Sequence, residues 1–200
     1  MREGGSRVKK LLIACVALVL LMAGAGGAAY LYIAPDEELD LIYAEVPLRD
    51  RLLEMAGRLS TELTLTEADV NNLAKASLAR NPEVADDLEI TGARFELKED
   101  RVVAHVNVRW KARIPAGAVV EYRLSWQPPY LVATPVKARI KDVSLPRERL
   151  GLGDIAVPLG EHLPKGLQIE KVHAGEGKLT VSFRKPSLPD LRGLRDWAGI

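Results

Sequence analysis

The sequence predicts an α+β protein with an N-terminal transmembrane helix, two amphipathic helices and then a curved antiparallel β-meander of about six strands. Three observations support this fold class. Leu11–Ala34 is one apolar run without a charged residue. Between residues 48 and 80, apolar residues recur every three or four positions, which is the period of an amphipathic helix. From Leu88 onward the apolar residues recur at every second position, the period of a half-buried strand.

The apolar run Leu11–Ala34 is long enough to cross a membrane, because a hydrocarbon core of roughly 30 Å requires about 20 helical residues. Basic residues precede this run and acidic residues follow it. The positive-inside rule then keeps residues 1–10 in the cytoplasm as a short tail. Tyr30 and Tyr32 suit the membrane interface. We therefore expect a single-pass protein of the cell membrane whose C-terminal domain is extracytoplasmic.

Two other interpretations of the N-terminal run remain open. The basic start, the apolar core and the small residues 23–25 also fit a cleaved signal peptide. The apolar run resumes after these small residues, which favours an uncleaved signal-anchor. Residues 12–15 end in Cys15 and resemble a lipobox, but almost no apolar segment precedes them for the lipidation machinery to engage. The domain is exported under each interpretation.

The composition limits the classes of function. The chain has 200 residues, with 28 basic and 27 acidic side chains and a net charge of +1. That balance argues against nucleic acid as a partner, which would favour a basic surface. The only cysteine, Cys15, lies in the predicted anchor, so the exported domain has no disulfide. Its stability must come from the burial of apolar surface.

The domain is predicted to start with two helices. Residues 35–47 read as a short stalk, and residues 48–200 as one extracytoplasmic α+β domain. The apolar spacing predicts a first helix over Leu48–Glu62. A second helix begins after Thr66, a natural N-cap, with Asp69 at the third position to complement the helix dipole. It ends at Asn81, because the residue before Pro82 disfavours helical geometry.

The strands follow in order along the chain. Leu88–Lys98 changes its alternation at Gly92, as a β-bulge would require. The next strand runs to Ile114, and residues 115–117 read as a hairpin turn. Tyr130–Asp142 is expected to lie at an edge or to be bulged at Pro135, which cannot donate a hydrogen bond. In this strand Tyr130, Val132, Val136, Ala138 and Ile140 are expected to share one face.

The remainder of the chain is less regular. Residues 144–164 are rich in proline and glycine and predict an irregular segment with a helical turn near residues 147–150. Leu167–His173 and Lys178–Arg184 are predicted to form a final hairpin. The tail from Pro186 has the apolar spacing of a short amphipathic helix or coil.

The inward-facing side chains of the meander define a candidate ligand groove between the sheet and the helices. Its predicted lining is Val106, Val108, Trp110, Val120, Tyr122, Leu124, Trp126 and Tyr130. An apolar face with several aromatic residues suits an acyl chain. The alternative interpretation is that these residues form a filled core.

The opposite face of the meander is basic. Alternation places seven cationic side chains on it, spread over three neighbouring strands: Arg109, Lys111, Arg113, Arg123, Lys137, Arg139 and Lys141. This row fits either a solvated surface with acids nearby or a contact with anionic lipid head groups, anionic polymers or an acidic protein.

The whole pattern resembles a known family. The helix start at residues 65–71 (Leu-Thr-Glu-Ala-Asp-Val-Asn), the single membrane anchor and the strand meander are similar to the YpmS family of bacterial envelope proteins. The segment 163–167 (Leu-Pro-Lys-Gly-Leu) before the last hairpin supports the same likeness. The resemblance implies a topology, because that family has no established activity. The order of helices and curved meander also resembles tubular lipid-binding proteins, whose sheets hold acyl chains.

The sequence predicts no catalytic and no metal-binding residue. His105, His162 and His173 show neither the spacing nor the cysteine neighbours of a zinc site, and we expect them at the surface. The acid pairs at residues 86–87 and 99–100 fit solvated turns. Neither a nucleophile elbow nor a phosphate-binding loop is present, so no catalytic residue, metal or cofactor is expected.

We therefore expect a non-enzymatic, membrane-anchored extracytoplasmic protein that binds a lipid or another apolar envelope ligand. The alternative is a cell-envelope scaffold whose basic face binds a protein partner, and an exported enzyme is a third interpretation. The expected partners are the membrane, through residues 11–34, a lipid ligand or an envelope protein. Nucleic acid is not expected.

Overall fold

The computed structural model describes residues 27, 30, 32–58, 60–85, 87–111, 113–145, 153–159, 163 and 167–185. Most of the predicted anchor, the predicted helical turn near residues 147–150 and the tail from Pro186 lie outside these residues. Tyr30, Tyr32 and Ile33 are helical. Within the described ranges, no helix has the length and apolar character needed to cross a membrane.

From residue 35 onward, the described part of the chain is α+β, with two helices and a curled antiparallel half-barrel. The helices are α1 (Leu48–Gly57) and α2 (Glu67–Arg80). The strands are β1 (Glu62–Thr66), β2 (Glu83–Ala85), β3 (Leu88–Lys98), β4 (Arg101–Trp110), β5 (Ile114–Gln127), β6 (Tyr130–Ile140), β7 (Val143–Leu145), β8 (Ile155–Pro158), β9 (Ile169–Gly175) and β10 (Lys178–Phe183).

The strands form two antiparallel sheets. The large sheet has the order β2-β3-β4-β5-β6-β7, and β8 pairs with the part of β6 that β7 leaves free. The small sheet has the order β1-β10-β9. The final hairpin is therefore confirmed. Strand β1 was not predicted: α1 ends at Gly57 instead of Glu62, and the chain then pairs with the C-terminal hairpin.

Helix α2 begins as the sequence predicts. The Thr66 hydroxyl accepts a hydrogen bond from the Asp69 N–H at 3.2 Å, and the Asp69 carboxylate accepts one from the Thr66 N–H at 2.8 Å, which forms a capping box. Asp69 is buried and also receives two hydrogen bonds from Arg51 of α1, at 2.5 and 2.8 Å. Arg51, together with Thr66, lowers the pKa of Asp69 against the effect of burial. One carboxylate thus starts α2 and joins it to α1.

Side chains of α2 also complete the open edge of β3. The Asn71 side chain accepts a hydrogen bond from the Phe95 N–H at 2.8 Å and donates one to the Phe95 carbonyl at 2.5 Å. The Leu97 N–H donates to Glu67 at 2.8 Å. Unpaired edge groups would otherwise invite pairing with another chain. The helix therefore closes this edge of the half-barrel.

One predicted turn is wrong. Residues 115–117 belong to β5, and the turn between β4 and β5 contains Lys111 and Arg113, with Trp110 opposite Ile114. Lys111 has a positive φ of 49° in this turn. Strand β6 pairs with β5 only from Val119 onward, so Pro115 has a neighbouring strand on one side only. A proline is tolerated at such a position because no ladder hydrogen bond is lost.

Two bulges reset the alternation of the large sheet. The predicted bulge at Gly92 is confirmed by a register shift between Ile90 and Gly92. The predicted bulge near Pro135 is confirmed too: Lys137 pairs with Glu121 and Pro135 with the next residue of β5, so Val136 is skipped. The skip reverses the alternation of β6. Tyr130 and Val132 therefore lie on the face opposite to Ala138, and the prediction that these residues share one face is wrong.

The core joins the two sheets. Leu65, Leu97, Ala174 and Leu179 are buried together where the small sheet lies against the β3–β4 end of the large sheet. A second cluster packs α1 against the other end of the small sheet, through Leu52, Met55, Leu167, Val181 and Phe183. The small sheet thus covers only part of the half-barrel.

Candidate functional site

We call the side of the large sheet that carries Ala104, Val120 and Ala138 the inner face, and the opposite side the outer face. Directly paired residues share a face, and alternate residues of a strand do so as well. Seven of the eight predicted groove residues lie on the inner face: Val106, Val108, Trp110, Val120, Tyr122, Leu124 and Trp126. The eighth, Tyr130, pairs with Gln127 and lies on the outer face because of the bulge.

The middle of the inner face is protein core. Ala104, Val120 and Ala138 are opposite one another on three strands and are buried. Leu124 packs against the cluster that contains Leu97 of β3. Tyr122 is partly buried, and burial raises the pKa of its phenol. These residues therefore stabilise the contact between the two sheets instead of lining a continuous groove.

The inner face is open at the hairpin end of β5 and β6. Trp126 pairs with Leu131, which pairs with Val157 of β8, while Ala133 pairs with Ile155. Val157 is 43% exposed and Ile155 is 48% exposed. We call Trp126, Leu131, Ile155 and Val157 the inner apolar strip; Trp126 and Leu131 are partly buried, and Leu131 also packs against the cluster that contains Leu97. Neither β8 residue was among the predicted site residues, although the alternation of residues 155–157 is a short strand signal.

Trp126 holds a polar atom inside this strip. Its indole Nε1 is buried and has no hydrogen-bond partner among the residues that the structure describes. A buried donor without an acceptor is costly, by about 1–3 kcal/mol. The indole N–H could therefore donate to a ligand that brings an acceptor, such as an ester carbonyl, into the strip.

Trp110, at the other end of the inner face, has a different environment. Its side chain is 46% exposed, and the Lys111 ammonium lies 4.9 Å from the centre of its ring. This is a cation–π contact, in which the ammonium is attracted to the negative face of the indole ring. Trp110 is thus separated from Trp126 by the filled middle of the face and does not join it in one groove.

The segment predicted to be a stalk lies across the outer face. We call residues 35–44 the strap. The Asn107 side chain donates to the Glu37 carbonyl at 2.7 Å, and the Ala93 N–H donates to the Asp40 carbonyl at 3.1 Å. A Cβ at Gly92 would come within 2.1 Å of the Leu39 carbonyl oxygen. The strap is therefore in direct contact with the backbone of the large sheet.

Ion pairs also hold the strap. Three acids of the strap each pair with a cation of the domain: Asp36 with Lys141 at 2.9 Å, Glu37 with Arg94 at 3.1 Å and Asp40 with Lys75 at 3.0 Å. The hydrogen bond from Lys75 lowers the pKa of Asp40. Beyond Asp40, the Ala44 N–H donates to Asn72 of α2 at 3.1 Å.

A cleft of about 500 Å³ lies between the strap and the outer face. Its lining is mixed in charge and includes Asp36, Glu37, His105, Arg139, Lys141 and Asp142. His105 is half-buried instead of lying free at the surface, and its Nε2 is 3.2 Å from Glu96. Burial and the charge of Arg94 lower the pKa of His105, although Glu96 opposes this shift. His105 is therefore neutral at pH 7.

The other candidate groups of the sequence stand apart from these two sites. His173 is exposed, with Nδ1 3.6 Å from Asp100 at the β3–β4 turn, and His162 lies outside the described residues. In the part of the chain that the structure describes, no group of three or more His, Cys, Asp or Glu side chains could hold a metal ion.

No family model, curated protein or solved structure matches this chain. The features that bear on function are therefore the inner apolar strip, the strap and the cleft.

Proposed function

We propose that the chain is a membrane-anchored, non-catalytic binding protein of the cell envelope, and that the inner apolar strip binds an acyl chain of an envelope lipid. The observation that carries this proposal is the exposure of Ile155 and Val157 beside Trp126, on the same face as the core. This use of the inner face differs from the predicted groove, because only Trp126 of the predicted lining belongs to the strip.

The chemistry of the strip supports an amphiphile. Removing apolar surface from water contributes roughly 25 cal/mol for each Å² buried, so an acyl chain laid on exposed valine and isoleucine gains free energy. The Trp126 N–H without a partner among the described residues adds a donor for an ester group. An apolar body with one acceptor is the pattern of a fatty acyl ester.

The sequence of the N-terminal run supports the same proposal. An anchor over Leu11–Ala34 would hold the domain at the membrane surface, where its ligand is concentrated. The strap starts directly after this run and contacts the domain from Pro35 onward. The strap would then keep the domain close to the membrane surface.

The proposal can be tested by photo-cross-linking. The full chain in detergent micelles is exposed to a phospholipid with a photoreactive acyl chain, and cross-linked peptides are located by mass spectrometry. We expect labelling of β5 and β8 near Trp126 and Val157. Trp126→Arg should abolish this labelling, whereas Trp110→Arg, the same change on the same face, should not. Equal labelling of both variants and the parent would show that the strip is not the site.

A second candidate is the scaffold, for which the filled middle of the inner face is the favouring observation. A closed core leaves the outer face as the binding surface. Of the seven cations predicted on this face, Arg109 is 3.5 Å from Glu89 and Lys111 covers Trp110. Arg139 has no ion pair with another described residue and lines the cleft, so it is the main candidate. Under this proposal Arg139→Glu releases a cross-linked envelope protein in cells, and acyl cross-linking to the strip is absent.

A further inference from the structure

The outer face carries three cations that lack a counter-ion within the described part of the chain. They are Arg123 of β5 and Lys137 and Arg139 of β6, which we call the outer basic strip. Glu121 lies opposite Lys137, but its carboxylate is 3.7 Å from Arg101 and no contact within 4.0 Å joins it to Lys137. Adjacent like charges repel one another, so an anionic partner at this surface would relieve the repulsion.

The strap determines where the chain leaves the domain toward the predicted anchor. Pro35 is in close contact with Gly117 of β5. Lys141 forms an ion pair with Asp36, and its ammonium lies 5.7 Å from the centre of the Tyr32 ring. Both contacts place the start of the strap beside the end of β6.

The outer basic strip begins at this exit point. Lys141 lies in the turn directly after β6, and Arg139 is two residues before it on the outer face of the strand. At no more than about 3.6 Å for each residue, the Cα atoms of Arg139 and Lys141 are at most about 7 Å apart, and those of Lys137 and Lys141 at most about 14 Å. Arg139 also lines the cleft of about 500 Å³. Two acids of the cleft, Asp36 and Glu37, are already paired with Lys141 and Arg94. A phosphate group entering the cleft from the membrane side would meet Arg139, which has no ion pair with another described residue.

We propose that the outer basic strip binds anionic phospholipid head groups, and that the strap holds the domain with this face toward the bilayer. The inference rests on the proposed anchor but not on the acyl-chain site. Basic residues close to a membrane anchor attract anionic lipid, and the attraction falls off within a Debye length of about 8–10 Å. The predicted anchor ends two residues before Asp36, which pairs with Lys141, so the exit point would bring Arg139 close to the head groups.

The experiment uses the full chain with Cys15→Ser and a fluorophore on Ser144→Cys. Ser144 is exposed and pairs with Arg139, so the label reports on the outer face. The protein is reconstituted into vesicles of phosphatidylcholine alone or mixed with phosphatidylglycerol, each with a lipid spin-labelled at its head group. We expect at least twofold stronger quenching with phosphatidylglycerol. Lys137→Glu with Arg139→Glu should return quenching to the phosphatidylcholine level.

A matched control makes the same charge change on the small sheet, with Lys171→Glu and Lys178→Glu, and should keep the stronger quenching. Quenching that does not depend on phosphatidylglycerol, or that persists in the strip variant, overturns the inference. Failure of the proposed function gives different results. If the unmodified chain does not float with vesicles, the anchor is refuted. If the unmodified chain shows no acyl cross-linking, the inner site is refuted. Removing the charges of the outer basic strip should cause neither result.

Discussion

The two faces of the large sheet are covered in different ways. On the inner face, the small sheet packs apolar side chains such as Leu97 against Leu179 and leaves the hairpin end open. On the outer face, the strap is held by backbone contacts and by three ion pairs. The first cover depends on hydrophobic burial and the second on polar contacts with an extended segment.

This difference indicates where ligands can act. Opening a well-packed interior costs free energy, so we expect binding at the inner face only where packing leaves side chains exposed. A strap held by ion pairs whose carboxylates are exposed is less costly to adjust, because such pairs contribute little each. We therefore expect stability to reside mainly in the inner face and contacts with charged groups to occur on the outer face.

The largest expected effect comes from truncating the packed part of the inner face. Leu97→Ala should lower the free energy of unfolding by about 3 kcal/mol, because Leu97 is 2% exposed and its removal leaves a cavity. Val157→Ala, on the open strip, should cost less than about 1 kcal/mol. Urea denaturation followed by circular dichroism measures both. Similar losses for the two variants would mean that the strip is as well packed as the core.

The next effect tests the cover of the outer face. Gly92→Ala would place a methyl group 2.1 Å from the Leu39 carbonyl oxygen, so the strap must shift. Overpacking of this kind typically costs about 1–3 kcal/mol, and we also expect faster amide hydrogen exchange at Ala93, which donates to the strap. Gly153→Ala is the control, because no atom of another described residue lies within 4 Å of its added Cβ. Unchanged exchange at Ala93 in Gly92→Ala would show that the strap does not depend on this contact.

Much of the sheet could be predicted from the sequence because its signals are local. The alternation of residues 102–110 predicts β4, the Thr66–Asp69 pair predicts the start of α2, and Gly92 predicts its bulge. The cover of each face could not be predicted in this way. The positions of the strap and of β1 depend on contacts with residues that are distant in the sequence. The polar residues that follow the anchor also show no apolar periodicity from which a structure could be predicted.

The candidate site shows the same limit. Alternation places Trp126 correctly on the inner face, but one skipped residue at Val136 moves Tyr130 to the other side. A pattern of alternate residues cannot tell which of them another sheet will bury, so Val120 and Leu124 were predicted to line a groove and instead pack in the core. Ile155 and Val157 belong to the inner apolar strip only because β8 pairs with β6.

A smaller effect should appear on the outer face when the pH falls. Burial, with the charge of Arg94, lowers the pKa of His105 from its ordinary 6.5. The unfolded chain then binds a proton more readily than the folded chain, so stability present above pH 6.5 is lost as the pH falls through the lowered folded pKa. Urea midpoints at a series of pH values should show this loss, and His105→Gln should flatten the curve between pH 7 and 5. A parallel curve in the variant would assign the loss to other groups.

The smallest expected effect is a loss of stability at alkaline pH, caused by a residue of the inner face. Burial raises the pKa of Tyr122 above its ordinary 10.0, so the folded chain resists ionisation of this phenol. Stability is then fully present below pH 10 and is lost as the pH rises through the raised folded pKa, the reverse of the acid effect at His105. Tyr122→Phe should remove this alkaline loss and leave the acid loss unchanged. Because His105 and Tyr122 lie on opposite faces of one sheet, a variant that altered both limbs of the pH profile would show that the two faces open together. Independent limbs would show that the ionisation of His105 on one face is not coupled to that of Tyr122 on the other.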